Sequence, residues 1–350
     1  MAYAAISKPS LYFNTKLWTG NGSTQNITGL DFQPDLVWLK NRDASNQEPC
    51  IYDALRGVQQ RLFTSTTGGN SASGTGGLTA FNSDGYTLGS AGNNNGNGVA
   101  YVGWNWKANG QGSSNTDGST NTTYTSVNST AGFSISTYAG SGSAATIGHG
   151  LGAAPEVIII KCTTHSENWV MYHKSLNSSG AGTYIYFNTA AAGGSGSNTS
   201  IFNNTAPTNS VFSVNTDGVS NGSGKSYVAY CFKEKKGYSK FGSYTGNGNA
   251  DGAFVYTGFK PAFIILKKTS DTANWMIHDN KRLGYNVDNN NLKLNTNDAE
   301  ATADTLDILS NGFKLRTSGS GENNGNFIYM AFASEPLVAN VGGSIPATAR

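Results

Sequence analysis

Three stretches of the sequence share one pattern, in which a glycine-rich turn leads to a proline and then to an apolar run that ends in lysine. The stretches are residues 19–41 (TGNGSTQNITGLDFQPDLVWLKN), 139–162 (AGSGSAATIGHGLGAAPEVIIIKC) and 245–268 (TGNGNADGAFVYTGFKPAFIILKK). Pro34, Pro155 and Pro261 align them at intervals of roughly 100 residues, the size of a β-sandwich domain. Propellers and solenoids have shorter periods. The chain is therefore predicted to contain three copies of one unit.

Each copy continues with the same series of strand-like segments. A second strand is predicted at 50–55, 168–174 and 274–280, an Asx-Gly hairpin at 78–90, 210–220 and 306–318, and a closing strand at 100–108, 226–234 and 326–334. The closing strand alternates apolar residues, as in Val102, Trp104 and Trp106, which predicts one face in a core. The apolar runs after the prolines are continuous, which is typical of central strands covered on both faces.

The composition agrees with many short strands joined by tight turns. The 350 residues include 45 glycines, and only 13% are charged. Tyr, Phe, Val, Ile and Thr recur in short runs between clusters of Gly, Asn and Ser, as expected for strands and turns. The predicted fold class is all-β, with three tandem homologous β-sandwich-like domains of the jelly-roll or lectin-like type.

The repeats also define a domain organisation. We predict an N-terminal docking arm at 1–13, repeat 1 at 14–108, a turn-rich linker at 109–131, repeat 2 at 132–236, repeat 3 at 237–338 and a C-terminal tail at 339–350.

Charge, cysteines and hydropathy argue against several classes of protein. The net charge is +2 and the basic residues are scattered, whereas nucleic-acid binding needs a concentrated basic face. Cys50, Cys162 and Cys231 are odd in number and widely spaced, which suits neither a zinc site nor a disulfide framework. The chain lacks a signal-peptide pattern and any apolar run of about 18 residues. We expect synthesis in the cytoplasm and neither nucleic acid nor membrane as a partner.

No motif in the sequence predicts an enzyme. An HExxH helix and a Walker loop are both missing, and the glycine-rich turns lead into strands rather than into anion-binding helix N-termini. A polysaccharide hydrolase would need a pair of carboxylates, but Asp31 and Asp35 have no counterparts in the other copies. We therefore predict no catalytic residues and keep a hydrolase as the less favoured alternative.

One polar pair recurs at the same place in all three copies. It reads Tyr52-Asp53, Tyr172-His173 and His278-Asp279. A repeated polar position is typical either of a ligand contact or of a brace at a strand end. Bracing is favoured, because binding or catalytic residues need not be triplicated.

Glycan binding is the best hypothesis for a site, because exposed aromatic rings stack on sugars while amides and carboxylates bind hydroxyl groups. The candidate contacts are Trp18, Trp169, Trp275, Tyr172, His173, His278 and Asp279. For Trp169 and Trp275, core packing is favoured over glycan contact, since the repeat pairs them.

An acidic segment at 287–307 contains the candidates for a calcium loop. They are Asp288, Asp298 and Asp304, whose oxygens suit Ca²⁺ as a hard cation. Their spacing matches no EF-hand, and solvated loop acids are favoured over a calcium site. No other cofactor is expected.

Several motifs resemble a family of virion or tail structural proteins that is common in marine bacteriophages and viral metagenomes. The motifs are FNSDGYTLGS, YVGWNWKA, YVAYCFKEKKGYSKFGSYTGNGNADG and the terminal IPATAR, and the resemblance covers essentially the whole chain. The family is described as a domain of unknown function, so it carries no catalytic residues over to this sequence. The resemblance implies a virion component that is made in the host cytoplasm and works outside the cell after lysis.

These observations predict a non-catalytic structural protein displayed on a phage particle, either as a head decoration or mounted on the tail. The expected partners are other capsid or tail proteins, host-surface carbohydrate and further copies of the chain. Three linked units would suit a pseudo-threefold lattice site or multivalent binding, because linkage raises effective concentration. The alternative is a free carbohydrate-binding, lectin-like module.

Overall fold

The computed structural model describes residues 4–43, 46–176, 184–193, 199–282, 286 and 290–337. Strands dominate this part of the chain. Its helices are α1 (Gly92–Asn95), α2 (Thr199–Phe202) and the 3-10 turns Pro9–Leu11, Gly74–Gly76 and Lys174–Leu176. The predicted all-β fold class is confirmed. Among these helices, none is long and apolar enough to span a membrane.

Repeats 1 and 3 have their strands in the same order, and the described residues of repeat 2 have counterparts of most of them. Repeat 1 contains β1 (Phe13–Thr19), β2 (Gln25–Thr28), β3 (Leu36–Asn41), β4 (Cys50–Asp53), β5 (Gln60–Phe63), β6 (Ser71–Ala72), β7 (Leu78–Asn82), β8 (Gly85–Leu88) and β9 (Ala100–Trp106). The next strands are β10 (Tyr124–Asn128), β11 (Phe133–Ala139), β12 (Ala145–Gly148), β13 (Val157–Cys162), β14 (Val170–His173), β15 (Ile185–Tyr186), β16 (Val211–Val214) and β17 (Ser226–Phe232). Repeat 3 contains β18 (Ser239–Asn247), β19 (Phe254–Tyr256), β20 (Phe259–Lys268), β21 (Met276–Asp279), β22 (Asn290–Lys293), β23 (Ala301–Thr302), β24 (Leu306–Leu309), β25 (Gly312–Leu315) and β26 (Asn324–Pro336).

Each repeat builds one six-stranded antiparallel sheet. Sheet 1 has the order β1-β9-β3-β4-β5-β6, sheet 2 the order β10-β11-β17-β13-β14-β15, and sheet 3 the order β18-β26-β20-β21-β22-β23. The strand after the proline (β3, β13 or β20) lies inside its sheet, beside the closing strand (β9, β17 or β26). The continuous apolar runs are therefore central strands, as predicted.

The outer face of each sheet is covered by a small sheet of the same repeat. The small sheets are β2-β8-β7, β12-β16 and β19-β25-β24. In repeat 1, Val37 and Leu39 of β3 pack with Tyr86 and Leu88 of β8 in a cluster of buried apolar side chains. Repeats 2 and 3 have corresponding clusters. Each repeat therefore has the two layers of a sandwich.

The inner faces of the three sheets meet in a single core. Trp104 of repeat 1, Tyr230 of repeat 2 and Phe263 of repeat 3 belong to one cluster of buried side chains. The predicted core face of each closing strand lies there: Val102, Trp104 and Trp106, with Val228, Tyr230 and Phe232, and Ile328, Met330 and Phe332. A cavity of about 20 Å³ at the centre has only apolar and aromatic lining from all three repeats. The repeats are thus consecutive in sequence but share their largest core.

Two segments predicted to lie between or outside the repeats belong to the packed structure. The expected docking arm packs on the chain itself, since Ile6 and Phe13 are in the shared core and the N–H of Ala5 donates to the carbonyl of Lys236 at 2.8 Å. The expected linker contributes β10, which pairs with β11 and extends sheet 2. Composition alone predicted that both segments are exposed. Both nevertheless contain apolar or strand-forming residues, which pack or pair with the rest of the chain. The predicted tail at 339–350 lies outside the described residues.

Candidate functional site

The repeated polar position joins each repeat to a neighbour. The hydroxyl of Tyr230 in repeat 2 donates to Oδ2 of Asp53 in repeat 1 at 2.7 Å. The indole of Trp104 in repeat 1 donates to Oδ2 of Asp279 in repeat 3 at 3.0 Å. Tyr230 and Trp104 hold the same place in their closing strands, because both face the third residue of the strand after the proline.

The third contact of this kind joins repeats 2 and 3. Here the closing strand carries Met330, and the repeated position is His173. The His173 ring bonds through Nε2 to the carbonyl of Tyr329 at 3.2 Å, and its Nδ1 accepts from the N–H of Ser175 at 3.1 Å. Burial lowers the pKa of His173 to about 4, so the neutral ring donates through one nitrogen and accepts through the other. The three contacts join the repeats in a ring.

Arginines complete the two carboxylate braces. Arg56 Nε lies 2.6 Å from Asp53, and Arg282 Nε lies 2.7 Å from Asp279. Burial raises the pKa of Asp279, but the charge of Arg282 and the hydrogen bond from Trp104 outweigh burial and hold this pKa below its usual value. Buried charges of this kind are stable only when paired and hydrogen-bonded. The second residue of each repeated polar pair is therefore a brace between repeats.

The seam between repeat 3 and repeat 1 carries a further ionic network. Glu300 accepts from Arg282 Nη1 at 3.0 Å, and from Arg42 of repeat 1 at 2.8 Å. Burial raises the pKa of Glu300, but Arg42 and Arg282 together lower it below the usual value. This network connects the first and last repeats, which are far apart in sequence.

The lysine that ends each apolar run has the same bracing role. Each side chain is buried and donates to a backbone carbonyl of another repeat: Lys40 to Thr296 at 3.0 Å, Lys161 to Thr67 at 2.7 Å and Lys267 to Ala190 at 3.0 Å. Burial lowers the pKa of all three lysines to about 8. The repeated lysine is explained by these contacts between repeats.

The predicted glycan contacts lie mostly inside the protein. Trp169, Trp275, Tyr172, His173, His278 and Asp279 are all buried. The two tryptophan indoles donate to backbone carbonyls of the preceding repeat, at Phe63 and Tyr186. Trp18 is half-buried and stacks on Tyr101 with 5.5 Å between ring centroids. Because a sugar stacks on an exposed ring, a candidate glycan site must lie elsewhere on the surface.

The predicted calcium loop is described only in part. Asp288 lies outside the described residues. Asp298 forms an ion pair with Lys293 at 2.7 Å, and Asp304 is exposed. Over the described ranges, no group of three or more His, Cys, Asp or Glu side chains is arranged to hold a metal ion.

The glycine-rich turn that opens each repeat is held by a buried asparagine. In repeat 1, Asn95 donates to the carbonyls of Ser23 and Gly89 and accepts from the N–H of Asn21 at 3.1 Å. Asn221 and Asn323 make the same kind of contacts in repeats 2 and 3. A side chain at Gly20 would lie 2.2 Å from the carbonyl oxygen of Gly96. The turn needs glycine for this close approach, and no phosphate is required to explain it.

Replacing Asn95 with alanine is expected to lower the free energy of unfolding by about 1–3 kcal/mol, because buried backbone groups lose their partners. Urea denaturation of the full chain measures this change. Asn97, which is exposed in the same loop, is the matched control, and its alanine variant should stay within about 0.5 kcal/mol of the parent. Equal effects at the two positions would contradict the bracing role of Asn95.

An open cleft lies between repeats 2 and 3. Its volume is about 490 Å³, and its lining includes Glu156, Lys233 and Glu234 with Lys240 and Tyr256. Pockets of this size suit small ligands or a few units of a polymer. This cleft is the candidate functional site.

One of two exposed aromatic side chains on β19 lines this cleft. Phe254 and Tyr256 are 47% and 53% exposed, on the same face of β19, while Val255 between them is buried. Tyr256 lines the cleft, with Nζ of Lys240 at 5.8 Å from its ring centroid. The signal in the sequence is the alternation in Phe-Val-Tyr, at positions where the other repeats have small or polar residues.

Lysines surround the carboxylates of the cleft. Lys233 pairs with Glu156, and Lys174 pairs with Glu234 at 2.8 Å. Backbone N–H groups of Glu234 and Phe241 donate to the same two carboxylates. Both negative charges are thus neutralised within the protein, while Lys240 stands over the tyrosine ring.

Comparison with known proteins identifies the family of the chain. No curated protein and no solved structure matches the chain. The model of one family, described as "Domain of unknown function (DUF7483)", matches residues 8–336 and so includes all strands of the three sheets. The chain belongs to this family.

Proposed function

We propose that the chain is a non-catalytic structural protein displayed on the surface of a bacteriophage particle, as a head decoration or on the tail. The observation that carries the proposal is the ring of buried contacts between repeats. Tyr230 with Asp53, Trp104 with Asp279, and His173 with Tyr329 lock three sheets around one core. Three sheets held together in this way support a mechanical role. The resemblance of the motifs to virion proteins supports the assignment to a phage particle.

The same architecture suits a particle protein that is made in the cytoplasm and acts outside the cell after lysis. Cys50, Cys162 and Cys231 are free and buried, so the described fold does not depend on disulfides and tolerates a reducing cytoplasm during synthesis. The repeats present three related outer layers on one chain. That arrangement favours a site of threefold character on a particle, or several weak contacts made at once.

A carbohydrate-binding, lectin-like module is the second candidate. The exposed ring of Tyr256 at the edge of a 490 Å³ cleft favours it. The two candidates are compatible, since a particle protein that contacts host-surface glycans would use such a site.

The particle assignment is tested on lysates in which the chain is made. We expect mass spectrometry of density-purified particles to detect the chain at a constant ratio to the major capsid protein. Cryo-electron microscopy of the same particles should show density for a three-sheet body on the head or tail. A chain that remains in the soluble fraction and is missing from intact particles would refute the assignment.

A further inference from the structure

The aromatic pair on β19 is not required by the fold, as the other two repeats demonstrate. Val255 is paired with Phe313, Ile27 with Tyr86 and Ile147 with Phe212, so these three apolar residues are equivalent. The positions on either side are Asn26 and Thr28 in repeat 1, Thr146 and Gly148 in repeat 2, and Phe254 and Tyr256 in repeat 3. Two copies form the same small sheet without aromatic side chains there. Repeat 3 therefore exposes two large rings that its packing does not need.

A large ring that stays exposed does not obtain the free energy that burial of its apolar area would give. Only a few large hydrophobic residues are exposed in the described chain, namely Val58, Tyr124, Phe254 and Tyr256. Of these, Tyr256 alone lines the cleft between repeats 2 and 3. Exposed aromatic residues beside a concave surface are typical of binding sites.

The charge around Tyr256 selects the class of ligand. Three lysines and two glutamates line the cleft, and both glutamates are held by lysines, one of them from outside the lining. The lining therefore carries an excess of positive charge, which attracts an anion to the side of the tyrosine ring.

A ring that stacks on an aromatic face and carries a negative group can be a sugar acid or a nucleotide. Proteins that bind nucleic acid use a basic groove that follows the phosphate backbone over several nucleotides. Here the lysines near Tyr256 lie in the connector and cleft between two repeats, and the net charge of the chain is only +2. A short stretch of acidic polysaccharide fits this geometry better.

We propose that the cleft between repeats 2 and 3 binds an acidic saccharide, with one sugar face on Tyr256 and the carboxylate or sulfate of the sugar near Lys240. This inference gives a site and a ligand class to the glycan contact of the proposed function, and it rests on that part of the function alone. Whether the chain is part of a particle is decided separately by the particle experiment.

The experiment uses the purified full chain and a panel of oligosaccharides. The panel contains uronic-acid, sialylated and sulfated members, each with a neutral parent of the same ring structure, and single-stranded DNA as a different polyanion. We expect at least one acidic member to bind more tightly than its neutral parent by about tenfold or more. The affinity should fall as salt is raised, because the contact with Lys240 is near the surface.

Variants locate the binding in the cleft. Tyr256→Ala should weaken it by about tenfold, and Lys240→Gln should weaken it and reduce the dependence on salt. Phe254→Ala is the matched control, because Phe254 has a similar exposure on the same strand but does not line the cleft. All three side chains are at least partly exposed, so the variants should unfold at the parent's urea midpoint.

Three outcomes would overturn the inference. The first is that no acidic member of the panel binds, and the second is that Tyr256→Ala and Phe254→Ala weaken binding equally. The third is that single-stranded DNA binds in the cleft more tightly than any saccharide, which would assign the site to nucleic acid instead.

Discussion

The Asp279→Ala variant is expected to lose about 3–5 kcal/mol of unfolding free energy, the cost of removing one partner from a buried ion pair. Asp279 accepts from Trp104 and Arg282, both at 3.0 Å or less, and its side chain is fully buried. Without this carboxylate, the Trp104 indole loses its acceptor in the shared core, and Arg282 keeps only its contacts with Glu300 and a backbone carbonyl. Guanidinium denaturation of the full chain measures the loss.

Two further variants distinguish the brace from a general effect of losing an acidic residue. Asp304→Ala removes an exposed acid from the same repeat and should change stability by less than about 0.5 kcal/mol. The pair Asp279→Leu with Arg282→Met should recover part of the loss, because apolar side chains leave no unpaired charge. A loss below about 1 kcal/mol for Asp279→Ala would show that the seam does not depend on this carboxylate.

The three buried lysines predict that the protein becomes more stable as the pH rises from 7 to 9. Their pKa is about 8 in the folded chain, against an unfolded value near 10.4. Between these values the unfolded chain binds more protons, so the free energy of unfolding increases with pH. Each lysine should contribute about 1.4 kcal/mol over this interval, and the three together about 4 kcal/mol.

Buried thiols and phenols limit this gain at higher pH. Burial raises the pKa of Cys50 to about 12 and raises that of Cys231 as well, so both lose protons first in the unfolded chain. They should reduce the gain by about 1 kcal/mol at pH 9. Burial also raises the pKa of Tyr86 and Tyr238, and stability should decline once unfolded tyrosines ionise near pH 10.

Lys161→Met tests the assignment of this pH dependence. The rise in unfolding free energy between pH 7 and 9 should become smaller by about 1.4 kcal/mol, nearly half of the net rise, because one of three equivalent lysines is removed while the opposing thiols remain. Lys8, which is largely exposed, is the control, and Lys8→Met should leave the rise unchanged. Urea denaturation at several pH values measures both variants. An unchanged rise in Lys161→Met would mean that other groups cause it.

The strands and their faces could be predicted because they follow from local patterns. Trp104 alternates with Val102 and Trp106 in a way that only a strand with one core face explains. The continuous run that ends at Lys161 predicted a central strand, and β13 has that place in sheet 2. The polar pair that includes Asp53 recurs in all three repeats, and this repetition favoured a bracing role for it.

The candidate site could not be predicted to the same extent. The pairing of Trp169 and Trp275 by the repeat favoured core packing over sugar stacking, but it did not identify the partner of either indole. The indole of each reaches a carbonyl of another repeat, and that partner is more than 80 residues away in sequence. Tyr256, in contrast, lies in an ordinary strand pattern, and its exposure depends on what covers the strand.

The sequence by itself determined that the protein has three related units, that each is built from strands, and which side of each closing strand is apolar. These properties depend on neighbouring residues, through turn preferences and the alternation of side chains. Only the tertiary structure decided that the inner faces of the three sheets cover one another, that the repeated lysines and acids bridge the repeats, and that Tyr256 lines a cleft between repeats 2 and 3. Burial depends on which surfaces meet, and periodicity shows that a face is apolar without showing what covers it.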